Sequence, residues 1–299
     1  MPKTRNILKR VRAVRSIRTV TRAMQLVATA RFKVAHDRLM SFLPFSTNTL
    51  ELVADLVLRA SAGEKLPHPL LDRLTGAGRE VLLVLTSNRG LCGSYNSSVL
   101  KLAMSRLELL GGAKREVSLH VAGGRGARYL RFRKIRVDRE YPDFDDLPQY
   151  SQVAALGDSM MADFLAGKIG GLEVACTRFV SGGQQKPAIT RILPLEDLPR
   201  PGLAGAGARP MAPCDFLPSR DRILMGLLPN TVRLRLYQCF LDAACAEQFM
   251  RRAAMQAATD NADEMTHDLR IAANRLRQKQ ITTELAEIIG GRAGLEKKR

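Results

Sequence analysis

The chain has 299 residues, 45% of them hydrophobic and 25% charged, with a formal net charge of +18. This is the composition of a globular protein with ample length for a core, as one large domain or two modest ones, and no apolar run approaches the roughly 20 residues of a membrane span. The positive charge calls for polyanionic company, whether nucleic acid, a membrane surface or acidic proteins, while the absence of Trp and an aromatic content of 5% argue against stacking on bases.

From about Thr4 to Leu43 the chain has neither Pro nor Gly, which predicts a long helix. Its apolar residues recur at helical spacing as Ile7, Val11, Val14, Ile17, Val20, Met24 and Val27. The same stretch carries Lys3, Arg5, Lys9, Arg10, Arg12, Arg15, Arg18, Arg22, Arg31, Lys33 and Arg38 against one acid, Asp37. An Arg-rich, acid-poor start without an apolar core is not a signal peptide, though it has the character of a transit peptide. Pro44 should kink or break the helix, whose pattern resumes from Ser46 to Ala60 and closes at Ser61-Ala62-Gly63.

A loop with His68, Pro69 and Leu70 leads through Gly76-Ala77-Gly78 into alternating strands and helices. VLLVLT (Val81 to Thr86) is a short, wholly apolar run of the kind that forms a buried strand. The loop SNRGLCGS follows, then a helix from near Asn96 to about Leu110 and a second strand, VSLHVA, from Val117 to Ala122. GGRG reads as a turn, ARYLRF as a short helix, KIRV (Lys134 to Val137) as a third strand, and Tyr141 to Pro148 as an acidic loop. A helix from about Gln149 to Leu165 precedes the strands LEVACTRFVS and PAITRILPL, joined at Gly182-Gly183. This order predicts a small, Rossmann-like α/β domain over about residues 78–197.

Pro199 to Pro213 reads as a low-complexity linker, a short helix begins near Ser219 and should break at Pro229, and the longest helical pattern then runs from Thr231 to Ile289. At 1.5 Å per residue it is roughly 85–90 Å long, with a natural stop at Gly290-Gly291. Its apolar residues Tyr237, Leu241, Ala244, Met265, Leu269, Ala272, Leu276, Ile281, Leu285 and Ile288 form a narrow seam suited to one partner helix. The partner is the N-terminal helix. The expected fold is α plus α/β: a long antiparallel coiled coil of the two termini with the small α/β domain inserted. The expected segments are 1–62 (N-terminal coiled-coil helix), 78–197 (α/β domain), 198–218 (linker and foot loop) and 219–299 (C-terminal coiled-coil helix).

The motifs that could carry chemistry are unspecific. SNRGLCGS lies between a strand and a helix, where phosphate loops occur, but it is neither GxGxxG nor GxxxxGK[ST], and a tight structural turn explains it as well. Cys92 is either a nucleophile or a small core residue, and no His stands in an evident supporting place. The five cysteines are Cys92, Cys176, Cys214, Cys239 and Cys245; odd in number and without CxxC spacing, they read as buried thiols rather than a zinc site or disulfide framework. His36, His68, His120 and His267 are too scattered for a metal cluster or a triad. The basic N-terminal helix is open to three readings: a solvated face, a phosphate-binding face or a docking face for acidic proteins.

RAMQLVATARFKVAHDRL (Arg22 to Leu39), LTSNRGLCGSYN (Leu85 to Asn96), AAMQAATDNADEM (Ala253 to Met265) and NRLRQKQITTELAEIIGG (Asn274 to Gly291) resemble, in order, the signatures of the gamma subunit of F-type ATP synthases. HPLL near His68 and ITRILPL near Ile189 also fit. The resemblance implies a central rotor shaft: a coiled coil inside a ring of alternating alpha and beta subunits, and a foot that rests with the epsilon subunit on the membrane c-ring. Proton- or sodium-driven rotation is thereby coupled to ATP synthesis or hydrolysis in the ring. It implies no catalytic site, no cofactor and no metal in this chain, no nucleic-acid partner, and contact with the membrane only through the complex. It also implies a mature bacterial shaft that begins near Met1 without a transit peptide, at the cytoplasmic face of the inner membrane. The redox-regulatory insertion of plastid relatives has no counterpart.

Residue by residue, Arg277, Gln278, Thr282 and Glu284 match the family's ring-contacting positions, and Arg22 and Met24 match the facing positions on the N-terminal helix. CDFLPSRD (Cys214 to Asp221) resembles the loop that touches the c-ring, with Phe216 in the aromatic place and Leu217 where an acid often stands. The chain departs from the pattern in Ser94, which replaces the second Gly of the turn, in Pro229, and in the basic end GRAGLEKKR, where relatives have a small apolar tail. Classes outside the family remain as alternatives: a basic nucleic-acid-binding α/β protein, and an enzyme using SNRGLCGS as a phosphate loop.

Overall fold

A computed structural model describes residues 2–58, 69–71, 78–112, 116–181, 184–195 and 219–296. In chain order the elements are α1 (Pro2–Leu58), β1 (Arg79–Leu85), α2 (Tyr95–Gly112), β2 (Val117–Ala122), α3 (Gly124–Phe132), β3 (Arg139–Tyr141), α4 (Tyr150–Leu165), β4 (Ile169–Ser181), β5 (Gln184–Leu193) and α5 (Arg220–Glu296). They fall into two compact units, Ala30–Met250 and Met1–Thr29 with Arg251–Arg299.

The larger unit is organised by a five-stranded sheet of order β3-β2-β1-β4-β5. The pairs β1–β2, β1–β4 and β2–β3 are parallel, and β4–β5 is an antiparallel hairpin. A central parallel strand is covered on both faces and must therefore be apolar throughout, which explains VLLVL in β1. Its alternate residues serve two cores. Leu82 and Val84 pack with Leu119, Val121, Val99, Ala103 and Leu130 beneath α2 and α3. Val81, Leu83 and Leu85 pack on the opposite face with Met160 and Phe164 of α4, Leu39 and Leu56 of α1, and Leu236 and Leu241 of α5.

Five local expectations are corrected. Pro44 and Pro229 neither break nor end their helices, since α1 and α5 run through them. Proline removes the N–H that would bond the carbonyl four residues back. Here those carbonyls belong to Met40 and Met225, residues with exposed side chains, so neither proline stands on a fully buried face of its helix. Likewise α5 continues through Gly290-Gly291 to Glu296. Glycine permits a left-handed stop but does not impose one. GGRG is not a free-standing turn: α3 starts at Gly124, and close approach to Thr86 explains two of its glycines. A Cβ on Gly123 (φ 105) would lie 2.1 Å from the Thr86 carbonyl oxygen, and one on Gly126 would lie 2.5 Å from Thr86 Oγ1.

The third strand is Arg139–Tyr141, not Lys134 to Val137. Lys134 (φ 57) instead closes α3: its N–H bonds the Arg131 carbonyl and that of Ile135 bonds the Leu130 carbonyl. These are the two bonds of a Schellman cap, completed by apolar contact of Ile135 within the Leu130 cluster.

Candidate functional site

In the smaller unit, α1 and α5 run antiparallel. Thr21 and Thr259 share a hydrogen bond of 2.8 Å, Arg18 Nε meets Asp263 Oδ1 at 2.5 Å, and Gln25 Nε2 donates to Gln256 Oε1. The numbers of each pair total 280 or 281, which fixes the register. On α1 the seam continues from Val11 and Val14 through Arg18, Thr21, Gln25 and Ala28, at alternating spacings of four and three. On α5 it is Met255, Thr259, Ala262, Thr266, Leu269, Ala273 and Leu276.

This corrects the seam expected from hydrophobicity. Ile7, Val11 and Val14 lie on it and Met24 is half-buried beside it, but Ile17, Val20 and Val27 are 54–55% exposed, and on α5 Met265 is exposed as well. The true seam passes through three polar residues of α1, each satisfied by a polar residue of α5. A count of apolar side chains steps around them onto the neighbouring stripe. The exposed stripe is apolar and next to a basic face, and among the described residues no helix of this unit covers it.

The register also determines where α1 ends. Pro2 stands opposite about position 279, so among the described residues no α1 residue lies beside α5 from Ile281 onward. Ile281, Leu285 and Ile288, expected in the seam, are therefore exposed. Arg277, Gln278, Thr282 and Glu284 are exposed too. Thr282 Oγ1 donates to the Gln278 carbonyl (3.0 Å), and Gln280 Nε2 donates to Glu284 Oε1 (3.2 Å). Arg22 is exposed, with its Nη1 on Gln25 Oε1 at 3.1 Å, and Met24 is half-buried. The register places these two near Ala257 to Thr259, roughly 30 Å along α5 from Arg277. The six residues thus lie at two separate levels of the helix pair, not facing one another. Phe216, Leu217, Cys214 and His68 lie outside the described residues.

The loop after β1 is closed by its own side chains. The Ser87 N–H donates to Asn96 Oδ1 (2.9 Å), Asn96 Nδ2 donates to Ser87 Oγ (2.7 Å), and Ser87 Oγ donates to the Arg89 carbonyl (2.6 Å). Asn96 Nδ2 also meets Cys92 Sγ at 3.2 Å, and Cys92 packs with Tyr95 and Ala246. Leu91 (φ 64) and Gly93 (φ 57) take the left-handed conformations that the turn demands. Ser94 does not, and its carbonyl simply accepts the Ser98 N–H at 3.0 Å, so a glycine is not required there. These bonds tie the loop to the first turn of α2 and make it a structural clasp.

Other polar clusters of the larger unit are built from charges paired within it. Arg106 grips Glu173 through Nε (2.7 Å) and Nη2 (2.6 Å), and Arg191 bridges Glu173 (3.1 Å) and Glu80 (3.3 Å) beneath α2. Tyr141 OH and His120 Nδ1 are 3.3 Å apart, His120 Nε2 and Ser118 Oγ are 3.2 Å apart, and Ser118 Oγ donates to Asp138 Oδ2 at 3.2 Å. Burial, with Arg139 nearby, lowers the His120 pKa and favours its neutral form. The carboxylate here touches the serine rather than the histidine, so the set lacks the order of a nucleophilic triad. Among the described residues no group of three His, Cys, Asp or Glu could hold a metal, and no helix is long and apolar enough to cross a membrane.

A family model described as ATP synthase matches residues 3–295. The ATP synthase gamma chain of Rhodopirellula baltica is 39% identical over 298 residues, covering 99% of this chain and 100% of the relative. The chain belongs to the ATP synthase gamma-chain family. The gamma chain of Saccharopolyspora erythraea is 37% identical, with 97% of each chain covered. In solved structures, a chain of the Euglena gracilis mitochondrial ATP synthase rotor has the same fold, with TM-score 0.63, 13% identity, and coverage of 94% of this chain and 99% of that one. The expected fold, a long helix pair with an inserted α/β sheet, is therefore that of the family. The chain is a non-catalytic rotor subunit of an F-type ATP synthase, part of its membrane-associated catalytic sector. The nucleic-acid and phosphate-loop readings fall away.

Proposed function

We propose that this chain is the central shaft that transmits torque between the membrane c-ring and the alpha–beta catalytic ring. The helix pair of the smaller unit stands inside the ring of alternating alpha and beta subunits. The segment 78–197 forms the foot with the epsilon subunit, the loop around Phe216 and Leu217 within 198–218 touches the c-ring, and 1–62 with 219–299 supply the shaft. Proton or sodium flow turns the c-ring, and the shaft's asymmetry imposes different states on the three catalytic sites. The complex lies at the cytoplasmic face of a bacterial inner membrane, with this chain peripheral to it.

The observation that carries this reading is the open surface of α5 beyond its partner. Arg277, Gln278, Thr282 and Glu284 are exposed where α1 ends or has ended, beside the uncovered Ile281 and Leu285. A rotor contact must transmit force and yet be remade at each catalytic site in turn. Partly solvated hydrogen bonds and ion pairs of about 0.5–3 kcal/mol suit that task. Arg22 and Met24 make a second contact level further along the pair. The test is Gln278→Ala with Glu284→Ala in the assembled complex, measuring ATPase rate, ion pumping and thermal unfolding. Coupling should fall more than stability does. Normal pumping per ATP, or a loss accounted for by a lower melting temperature, contradicts the assignment.

A further inference from the structure

We propose that the groove on the helix pair lined by Arg15, Arg18, Asp263, Thr266, His267 and Arg270 is a binding site for a tetrahedral oxyanion of the phosphate class. The site lies wholly within the smaller unit and does not depend on the torque reading above. Its volume is about 330 Å³, room for such an anion with part of its hydration shell.

Charge is the first argument. Three guanidinium groups line the groove against one carboxylate, leaving an excess of two positive charges before His267 is considered. The contact of Arg18 Nε with Asp263 Oδ1 at 2.5 Å anchors one wall, offsets one of the three, and ties α1 to α5 at the groove. Among the described residues no other acid lines it, so Arg15 and Arg270 add positive charge that no carboxylate of the groove offsets. An excess of two matches a phosphate dianion better than a single carboxylate.

Thr266 is the second argument and independent of charge. It is 7% exposed, lines the groove, and its hydroxyl is buried without a hydrogen-bond partner. Helical threonines ordinarily return that hydroxyl to a carbonyl three or four residues back. Thr19, Thr29, Thr282 and Thr283 on these two helices do so, and of Thr21 and Thr259, which share one hydrogen bond, one hydroxyl donates to its carbonyl and the other to its partner. Thr266 alone of this set keeps its donor unsatisfied, and a buried orphan donor is destabilising unless a ligand or water completes it. The register places Arg15 directly opposite Thr266 and Arg18 opposite Asp263. Donors therefore approach the groove from both helices, the arrangement that suits an anion accepting on several sides.

The test is titration of the purified full chain with inorganic phosphate at fixed ionic strength, followed by calorimetry and phosphorus NMR line width. Saturable one-site binding is expected, with competition by sulfate and not by acetate. Arg15→Gln, Arg270→Gln and Thr266→Val should each weaken it about tenfold, the loss expected for one charge-assisted hydrogen bond. Arg12→Gln, exposed and outside the groove, should leave it unchanged, and circular dichroism should show native helicity in every variant. Absence of saturable binding overturns the proposal. Equal loss in Arg12→Gln shows nonspecific attraction to a basic helix and overturns it too, and equal competition by acetate reassigns the groove to an acidic side chain.

Discussion

Thr21 and Thr259, 238 positions apart in the chain, share a buried hydrogen bond of 2.8 Å between their hydroxyls. It lies between the Arg18–Asp263 ion pair and the Gln25–Gln256 hydrogen bond, so three successive polar contacts set the register of the smaller unit. Polar seam residues specify alignment at some cost in stability. A double-mutant cycle with Thr21→Val and Thr259→Val, read by urea unfolding, should show a coupling of about 0.5–1.5 kcal/mol. The double variant should lie within about 1 kcal/mol of the native chain, because two apolar isosteres replace a satisfied pair. Strict additivity of the single changes would contradict this.

The buried Arg106–Glu173–Arg191–Glu80 network depends on a missing side chain. A Cβ on Gly171 would stand 2.5 Å from Glu80 Oε2 and 2.6 Å from Arg191 Nη2. Gly171→Ala should therefore lower stability by about 2–4 kcal/mol, because it pushes apart the largely buried Glu80 carboxylate and the Arg191 guanidinium. Gly111→Ala, where an added Cβ meets nothing within 4 Å, should raise stability by about 0.5–1 kcal/mol as an ordinary helix substitution. Chemical denaturation of both variants checks the contrast.

Asp242 on α5 makes the larger unit sensitive to pH. Burial raises its carboxyl from 3.8 to about 6, against the opposing pull of Arg178 and of a backbone hydrogen bond from Phe179. The folded chain then holds this proton more tightly than the unfolded chain. The resulting stability is complete below the unfolded pKa and is lost as pH rises through about 6, with a span of at most about 3 kcal/mol. Asp242→Asn should flatten the dependence and be the more stable form above neutrality. Urea midpoints measured on either side of that window decide it.

The thiols should be chemically quiet. Cys92, Cys176, Cys239 and Cys245 are all buried, and burial together with Asp242 pushes Cys245 up to about 12. Thiolate at neutral pH is correspondingly scarce at Cys245. Alkylation of these four should follow opening of the fold rather than reagent concentration, and dithiol reductants should leave the activity of the assembled complex unchanged. A severalfold activation by such a reductant would contradict the expectation.

The sheet was legible because β1 is apolar on both faces and the Gly-rich loop after it punctuates the strand. The two long helices were legible from length and composition, and the family from four ordered motifs. The seam of the smaller unit was not. Arg18, Thr21 and Gln25 look like surface residues until Asp263, Thr259 and Gln256 are placed across from them, while Ile17, Val20 and Val27 look buried and are not. Hydrophobic periodicity reports which stripe is apolar, not which partner covers it. The same limit hid the end of α1: Ile281 and Leu285 have seam spacing, but the register leaves them without a described α1 residue across from them. The Glu80–Arg191 pair joins positions 111 apart and leaves no periodic trace, and Pro44 and Pro229 misled because a long helix can carry on through one missing backbone bond.

Direct observation of rotation tests the central claim. The chain would carry Leu109→Cys, an exposed site on α2, in a Cys214→Ser background, and be assembled with its alpha and beta subunits fixed to a surface. A bead attached at residue 109 should turn in one direction, stepwise, when ATP is added, and stop when ATP is removed. In the Gln278→Ala, Glu284→Ala variant the same bead should stall or slip under load while ATP hydrolysis continues. A bead that stays still during ATP hydrolysis by a complete assembly would contradict the account.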